Sequence, residues 1–183
     1  GVKAGGRAKG NIFLLDVLST ACDLAGIKAP ATSEGISFKP VIEGKKRAVR
    51  DTLYGVYCGG GRPGSRCVKK GDWKLIKYEV EKTGIKHTQL FNLKDNPHEF
   101  MKEHHVSAVK ALTGAEPGPE QINLATHPKY SNKLKEMESV LLSEMRRHDD
   151  PYRFWNQPND GLPVPTFRER VKNKRQNRSK KNK

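Results

Sequence analysis

The sequence has few cysteines and no long apolar run. No apolar stretch approaches the roughly 18 residues that a membrane-spanning helix needs, so we do not expect this chain to be a membrane protein. Three cysteines among 183 residues cannot complete a disulfide framework and are too sparse for a zinc ribbon. Neither an initial methionine nor a charged-then-apolar signal segment is found at Gly1. We therefore expect that further sequence precedes Gly1 in the protein.

Positive charge is abundant and unevenly placed. Lysine and arginine number 35 against 20 aspartates and glutamates, which gives a net charge of +15. Residues 168–183 contain nine basic side chains and one acidic one. Like charges at this density repel and few apolar residues accompany them, so we predict a disordered tail. It is either a solvated extension or a segment that binds a polyanion; the absence of aromatic residues makes nucleic acid an unfavoured partner.

Apolar spacing predicts a helix over residues 12–25, with Gly26 suited to a left-handed end. A turn-rich connection follows. Period-two alternation then predicts short strands at 53–57, 65–70, 72–80 and 85–93. These strands form a small antiparallel meander, in which Trp73, Leu75 and Lys77 share one face.

Two helices are predicted in the second half of the chain. The first is a short one within residues 100–112. The second, within residues 128–147, carries an apolar stripe that we expect to pack on the meander. Residues 152–167 contain four aromatics and three prolines and are predicted to lie extended over the fold.

The glycine-rich segment 59–66 resembles a phosphate-binding loop only superficially. Ser65 stands where that loop needs lysine, and strands flank the segment on both sides, so a hairpin loop is favoured. Arg62 and Arg66 still offer guanidinium groups whose forked geometry suits sulfate, phosphate or carboxylate. His87 lies in an alternating strand and is a weaker candidate for the same task.

The acidic and imidazole side chains at residues 98–105 do not form a zinc site. The zincin spacing requires a histidine at position 102, where Lys102 stands. Cys22 is predicted to lie in the core, and no cysteine has a neighbouring base that would mark it as a nucleophile. From the residues alone the chain is a basic α+β domain without a complete active site.

Five segments, in chain order, resemble type I sulfatases. They are residues 14–26, which resemble a D-(L/V)-x-P-T-x-x-(D/E)-L-A-G helix; residues 34–44, which match G-x-S-(F/L)-x-P-x-(L/I)-x-G; residues 73–78, which resemble a W/Y-K-L-I strand; residues 88–99, which resemble TQLFDLxNDPxE; and Asn123-Leu124-Ala125 before the last helix. The resemblance covers about residues 1–150. It implies the C-terminal part of a formylglycine-dependent sulfatase of the alkaline phosphatase superfamily.

The resemblance implies an α+β architecture in four parts. Residues 1–50 would end the α/β catalytic domain, and residues 51–150 would form a small antiparallel sheet packed by a C-terminal helix. An extended segment, 151–167, and the basic tail, 168–183, would follow. The helix within 12–25 should then expose an apolar face that the rest of the catalytic domain covers.

The implied activity is hydrolysis of sulfate esters, in a sulfated small molecule or polysaccharide, by an enzyme that binds calcium and is periplasmic or extracellular. The C/S-x-P-x-R motif that yields formylglycine does not occur here. The nucleophile and the calcium ligands are therefore expected upstream of Gly1, and the fragment alone is expected to be inactive, with the N-terminal catalytic domain as its partner. No catalytic or metal-binding residue is assigned within the chain.

Three residues are predicted to contribute to the substrate-binding rim, namely Arg66 first, then Arg62 and His87. Two alternatives stay open at this point. One is a phosphoester or phosphonate hydrolase of the same superfamily. The other is a non-catalytic remnant that binds polyanions through the basic tail.

Overall fold

A computed structural model describes residues 4–8, 10–58, 64–80 and 83–162 of the chain. The predicted basic tail, residues 168–183, lies outside these ranges, as do Arg62 and the end of the predicted extended segment. The chain divides into two units between Leu53 and Tyr54. Among the described residues, no helix has the length and apolar character to cross a membrane.

The first unit contains helix α1, Leu15–Leu24, and the short helix α2, Lys39–Ile42. The predicted left-handed end of α1 is confirmed, because Gly26 has a φ of +70°. The backbone N–H of Ile27 donates to the carbonyl of Cys22 at 2.9 Å, which closes a Schellman motif. The sequence therefore placed the end of this helix correctly.

Helix α1 turns its polar side chains into its own unit. Asp16, Ser19 and Thr20 are buried, and their oxygens bind backbone groups of residues 35–38. Gly35 is required there, because a Cβ atom would lie 2.2 Å from the carbonyl oxygen of Leu15. The apolar side chains of the helix and its start are exposed instead, as expected of a face that another part of the protein covers; they are Leu14, Leu15, Val17, Leu18 and Leu24.

The second unit is built on a four-stranded sheet whose strand order follows the chain. The strands are β1, Thr52–Tyr57; β2, Gly64–Lys70; β3, Trp73–Val80; and β4, Ile85–Asn92. Strands β2, β3 and β4 pair antiparallel. Residues 58–63 are too few for a parallel crossover, so β1 and β2 form a hairpin. The predicted meander and the α+β fold class are confirmed.

The core of this unit lies between the sheet and helix α4, Ser131–Arg147. The predicted stripe of α4 packs on the sheet through Met137, Leu141 and Met145, all of them buried. Opposite them on the sheet lie Val68, Leu75 and Leu90, which are fully buried and in register with one another. We call this side of the sheet the helix face.

The region between β4 and α4 differs from its prediction. Helix α3 spans Ser107–Thr113, so the predicted helix within residues 100–112 begins several residues late. The reason is local: the Asn96 side chain accepts a hydrogen bond from the N–H of Phe100 and donates one to its carbonyl. These bonds hold residues 96–100 in a loop. Asn123 likewise binds the edge of β4 at Thr88 and Leu90.

Candidate functional site

Strands β1 and β3 end, and strands β2 and β4 begin, at the same end of the sheet. We call it the hairpin end; its described residues are Tyr57, Gly64–Arg66, Lys77–Val80 and Ile85–His87. Arg66 and His87, two of the three predicted rim residues, belong to this end of the sheet.

Arg66 is buried at the hairpin end, with 5% of its surface exposed. Its Nε and Nη2 atoms donate to the two carboxylate oxygens of Asp150 at 2.9 and 3.0 Å. The guanidinium also lies 4.6 Å from the centre of the Tyr152 ring. These contacts are internal to the unit and tie the sheet to the segment after α4. The rim role predicted for Arg66 stays a prediction.

Asp150 collects hydrogen bonds from three parts of the unit. Besides Arg66, the hydroxyl of Tyr54 donates to Asp150 at 2.5 Å and the N–H of Tyr152 donates at 2.9 Å. Burial alone would raise the pKa of Asp150, but the hydrogen bonds from Arg66 and Tyr54 outweigh it and the pKa is lowered. Burial and the adjacent carboxylate raise the pKa of Tyr54. Asp150 is therefore held as a carboxylate.

Lys77 is the residue that the sequence analysis did not single out. It lies directly opposite Arg66 on the helix face and is 1% exposed. Its Nζ atom donates to Glu138 at 2.6 Å and to Asn156 at 2.8 Å. Alternation places Lys77 on the same face as Leu75, so the sequence does indicate an inward position. It does not indicate that a lysine there is buried, because lysines on such a face are usually exposed.

Trp155 covers Lys77 and reaches the surface. The Lys77 ammonium lies 4.6 Å from the Trp155 ring centre, and that of Lys86 lies 5.8 Å from it. The ring packs edge-on against Phe154, which is buried. Trp155 itself is 39% exposed. An aromatic ring with two neighbouring cations thus stands at the hairpin end, formed by residues 77, 86 and 155.

His87 lies on the opposite face of the sheet. It pairs in register with Tyr78, and the two rings stack with centres 4.9 Å apart. The structure therefore does not bring His87 together with Arg66. The rim role of His87 stays a prediction, and Arg62 lies outside the described residues.

A cavity of about 440 Å³ opens at the other end of the sheet. Phe91 and Tyr130 contribute apolar walls, and Asp95 and Glu120 bring two carboxylates. Lys129 also lines the cavity, so its charged side chains are two carboxylates and one ammonium group. In the first unit, a broader groove of about 720 Å³ is lined by apolar side chains of α1 and its start, Leu14, Leu15 and Leu18 among them, together with residues 30 and 32–34.

The described residues offer no metal centre. Within the described part of the chain, no group of three or more histidine, cysteine, aspartate or glutamate side chains could hold an ion. Glu99, one of the acidic residues weighed above, instead accepts both hydrogen bonds that Lys74 Nζ makes at 2.7 Å.

A family model described as "N-sulphoglucosamine sulphohydrolase, C-terminal" matches residues 1–115. A Δ4,5-hexuronate-2-O-sulfatase of Bacteroides thetaiotaomicron is 32% identical over 144 residues, which are 76% of this chain and 24% of that protein. The chain thus spans about a quarter of the length of this relative.

Two solved structures share the fold. One, a protein in complex with its substrate D-glucosamine-2-N,6-O-disulfate, is 21% identical with a TM-score of 0.59, and the match covers 87% of this chain and 28% of that one. The other, a 2-O GAG sulfatase, is 29% identical with a TM-score of 0.53. The match covers 75% of this chain and 25% of that one.

Proposed function

The chain belongs to the family of N-sulphoglucosamine sulphohydrolase C-terminal regions, and on that premise we propose that the protein of which it is part hydrolyses sulfate esters of a sulfated carbohydrate. The family match over residues 1–115 carries the proposal. It is supported by the activity named for the relative that is 32% identical, a sulfatase of a hexuronate. The likeness to sulfatases is that of their C-terminal part.

The proposed role of this chain is to build the C-terminal subdomain of the enzyme. The apolar side chains of α1 that remain exposed support this role, because a group of large exposed apolar side chains marks a surface that another part of a protein contacts. We propose that the catalytic domain of the same protein covers them. Leu14, at 89% exposure, would gain most from that contact.

The residues present do not fit the nucleophile or the calcium site implied by the family. The sequence lacks a C/S-x-P-x-R segment, and the described residues lack a group of acidic side chains able to hold an ion. Both are therefore proposed to belong to the part of the protein outside this sequence. A periplasmic or extracellular location is proposed on the same family likeness.

The test is an assay of the complete open reading frame that encodes this chain. The purified product should release inorganic sulfate from at least one member of a panel of sulfated mono- and disaccharides. The 183-residue chain alone, at equal concentration, should release none. A full-length protein that cleaves phosphate esters or phosphonates and leaves every sulfate ester intact would overturn the proposal.

A further inference from the structure

We propose that Trp155 and Lys86 form a subsite for a pyranose ring that carries a sulfate group. Both residues lie at the hairpin end, and Trp155 falls outside residues 1–115, which the family model matches. The choice of a sulfated sugar as ligand rests on the proposed function. The location of the subsite rests on the contacts of the two side chains.

The Trp155 ring is held in place before any ligand arrives. The buried Lys77 ammonium lies 4.6 Å from its centre and is itself fixed by Glu138 and Asn156. Phe154 supports the ring edge-on, with ring centres 5.6 Å apart. Because the ring is already ordered, a ligand that packs on its exposed part loses little conformational entropy from the protein.

The exposure of Trp155 contrasts with that of its aromatic neighbours. Tyr152 and Phe154 are 5% and 2% exposed, whereas Trp155 keeps 39% of its surface in contact with water. The C–H groups on the face of a pyranose are apolar and can cover such a ring, which makes its burial favourable. The exposed ring therefore suits the apolar part of a sugar.

Lys86 supplies the charge that the sulfate group needs. Its side chain is 47% exposed, and its Nζ forms an ion pair with Glu79 at 3.8 Å, a contact longer than a hydrogen bond that a sulfate oxygen can replace. The carboxylate of Glu79 already accepts a hydrogen bond from the Tyr152 hydroxyl. An ammonium group 5.8 Å from the ring centre can thus turn to a sulfate oxygen while the sugar remains on the ring.

The chain offers a matched control at the opposite end of the sheet. Trp73 has the Lys133 ammonium 5.5 Å from its ring centre, so it repeats the chemistry of a tryptophan beside a lysine. Trp73, however, packs against Tyr130 and the core. Lys133→Gln therefore removes an equivalent charge without touching the proposed subsite.

The experiment measures binding of D-glucosamine 2-N,6-O-disulfate to the 183-residue chain by calorimetry and saturation-transfer NMR. We expect saturable binding, with transfer concentrated on the ring protons. Trp155→Leu and Lys86→Gln should each raise the Kd at least tenfold. Trp155→Phe should stay within a few-fold of wild type, and Lys133→Gln should match it. Circular dichroism confirms that each variant is folded.

Three outcomes would overturn the inference: no saturable binding by the wild-type chain, unchanged affinity in both Trp155→Leu and Lys86→Gln, or inorganic sulfate binding as tightly as the disulfated sugar. Unsulfated glucosamine should bind at least tenfold more weakly. The binding experiment and the sulfate-release assay can fail independently. If the full-length protein releases no sulfate, the proposed function fails, but sugar binding measured on this chain still supports the subsite.

Discussion

Arg66 and Asp150 are both buried, and each supplies the countercharge that the other needs. Two hydrogen bonds between a guanidinium and a carboxylate fix their relative orientation as well as their distance. The hydroxyl of Tyr54 joins them on the same carboxylate. Loss of one member leaves a charge in a place that water reaches poorly, and this is more costly than loss of the whole pair.

Arg66→Met and Asp150→Leu should each lower the free energy of unfolding by about 3–5 kcal/mol, because each leaves one buried charge unpaired. The double variant should lose less than the sum of the two. Arg66→Lys retains the charge but not the two-bond geometry and should be intermediate. Urea unfolding measures all four proteins; additive losses in the double variant would contradict the paired arrangement.

Asp16 makes the first unit sensitive to acid. Burial would raise its pKa, but hydrogen bonds from Arg50, Phe13 and Ile36 together lower it from 3.8 to about 2. A depressed pKa stabilises the folded state above pH 3.8, and this contribution is lost as the pH falls towards 2. The difference in unfolding free energy between wild type and Asp16→Asn should therefore shrink from pH 5 to pH 2. A difference that stays constant over this range would contradict the assignment.

At the scale of elements, the end of α4 determines where Asp150 lies. The helix closes with a Schellman motif in which the N–H of Asp150 donates to the carbonyl of Met145 at 2.9 Å. The left-handed position of this motif is Asp149, with a φ of +48°. Glycine is the residue that takes this conformation without steric cost.

Asp149→Gly should stabilise the protein by roughly 0.5–1 kcal/mol, since it relieves the left-handed backbone at the end of α4. Asp160 offers the matched control, because its φ of +53° is similar while its carboxylate binds Arg146 and Arg153. Asp160→Gly should therefore destabilise. Thermal unfolding of the two variants decides the matter, and a shift in the same direction for both would contradict this account.

The sequence predicted the elements well because their signals are local. Alternation located the four strands, and the stripe on α4 identified the side that packs on the sheet. Local signals could not show that Asn96 would hold the backbone at Phe100, which delayed helix α3. They also could not show that Arg66 meets Asp150, because 84 positions separate the two residues in the chain.

At the scale of the whole molecule, the isolated chain should associate through the apolar face of α1. Leu14→Glu with Leu18→Glu places charges at two exposed positions, so the fold should keep its stability while the surface becomes polar. Light scattering should show less association of this variant than of wild type. If the variant and the wild type associate equally at the same ionic strength, the association involves another surface.

The candidate site was only partly accessible from the sequence. Arg66 and His87 were selected as basic residues near a glycine-rich hairpin, yet the register places them on opposite faces of the sheet. Trp155 and Lys77 were not selected, because their relation depends on the path of the chain after α4. The sequence shows which residues carry a charge, but whether a charged side chain is buried depends on tertiary packing.

The contact between Arg66 and Asp150 also has a consequence for biosynthesis. The strands leave the ribosome long before α4 and the segment that carries Asp150, so Arg66 meets this carboxylate only late in synthesis. Completion of this core must therefore wait until the chain past Asp150 has emerged from the exit tunnel. Until then the helix face of the nascent sheet lacks α4, and a chain truncated before Asp150 should lack the ion pair that ties the sheet to the segment after α4.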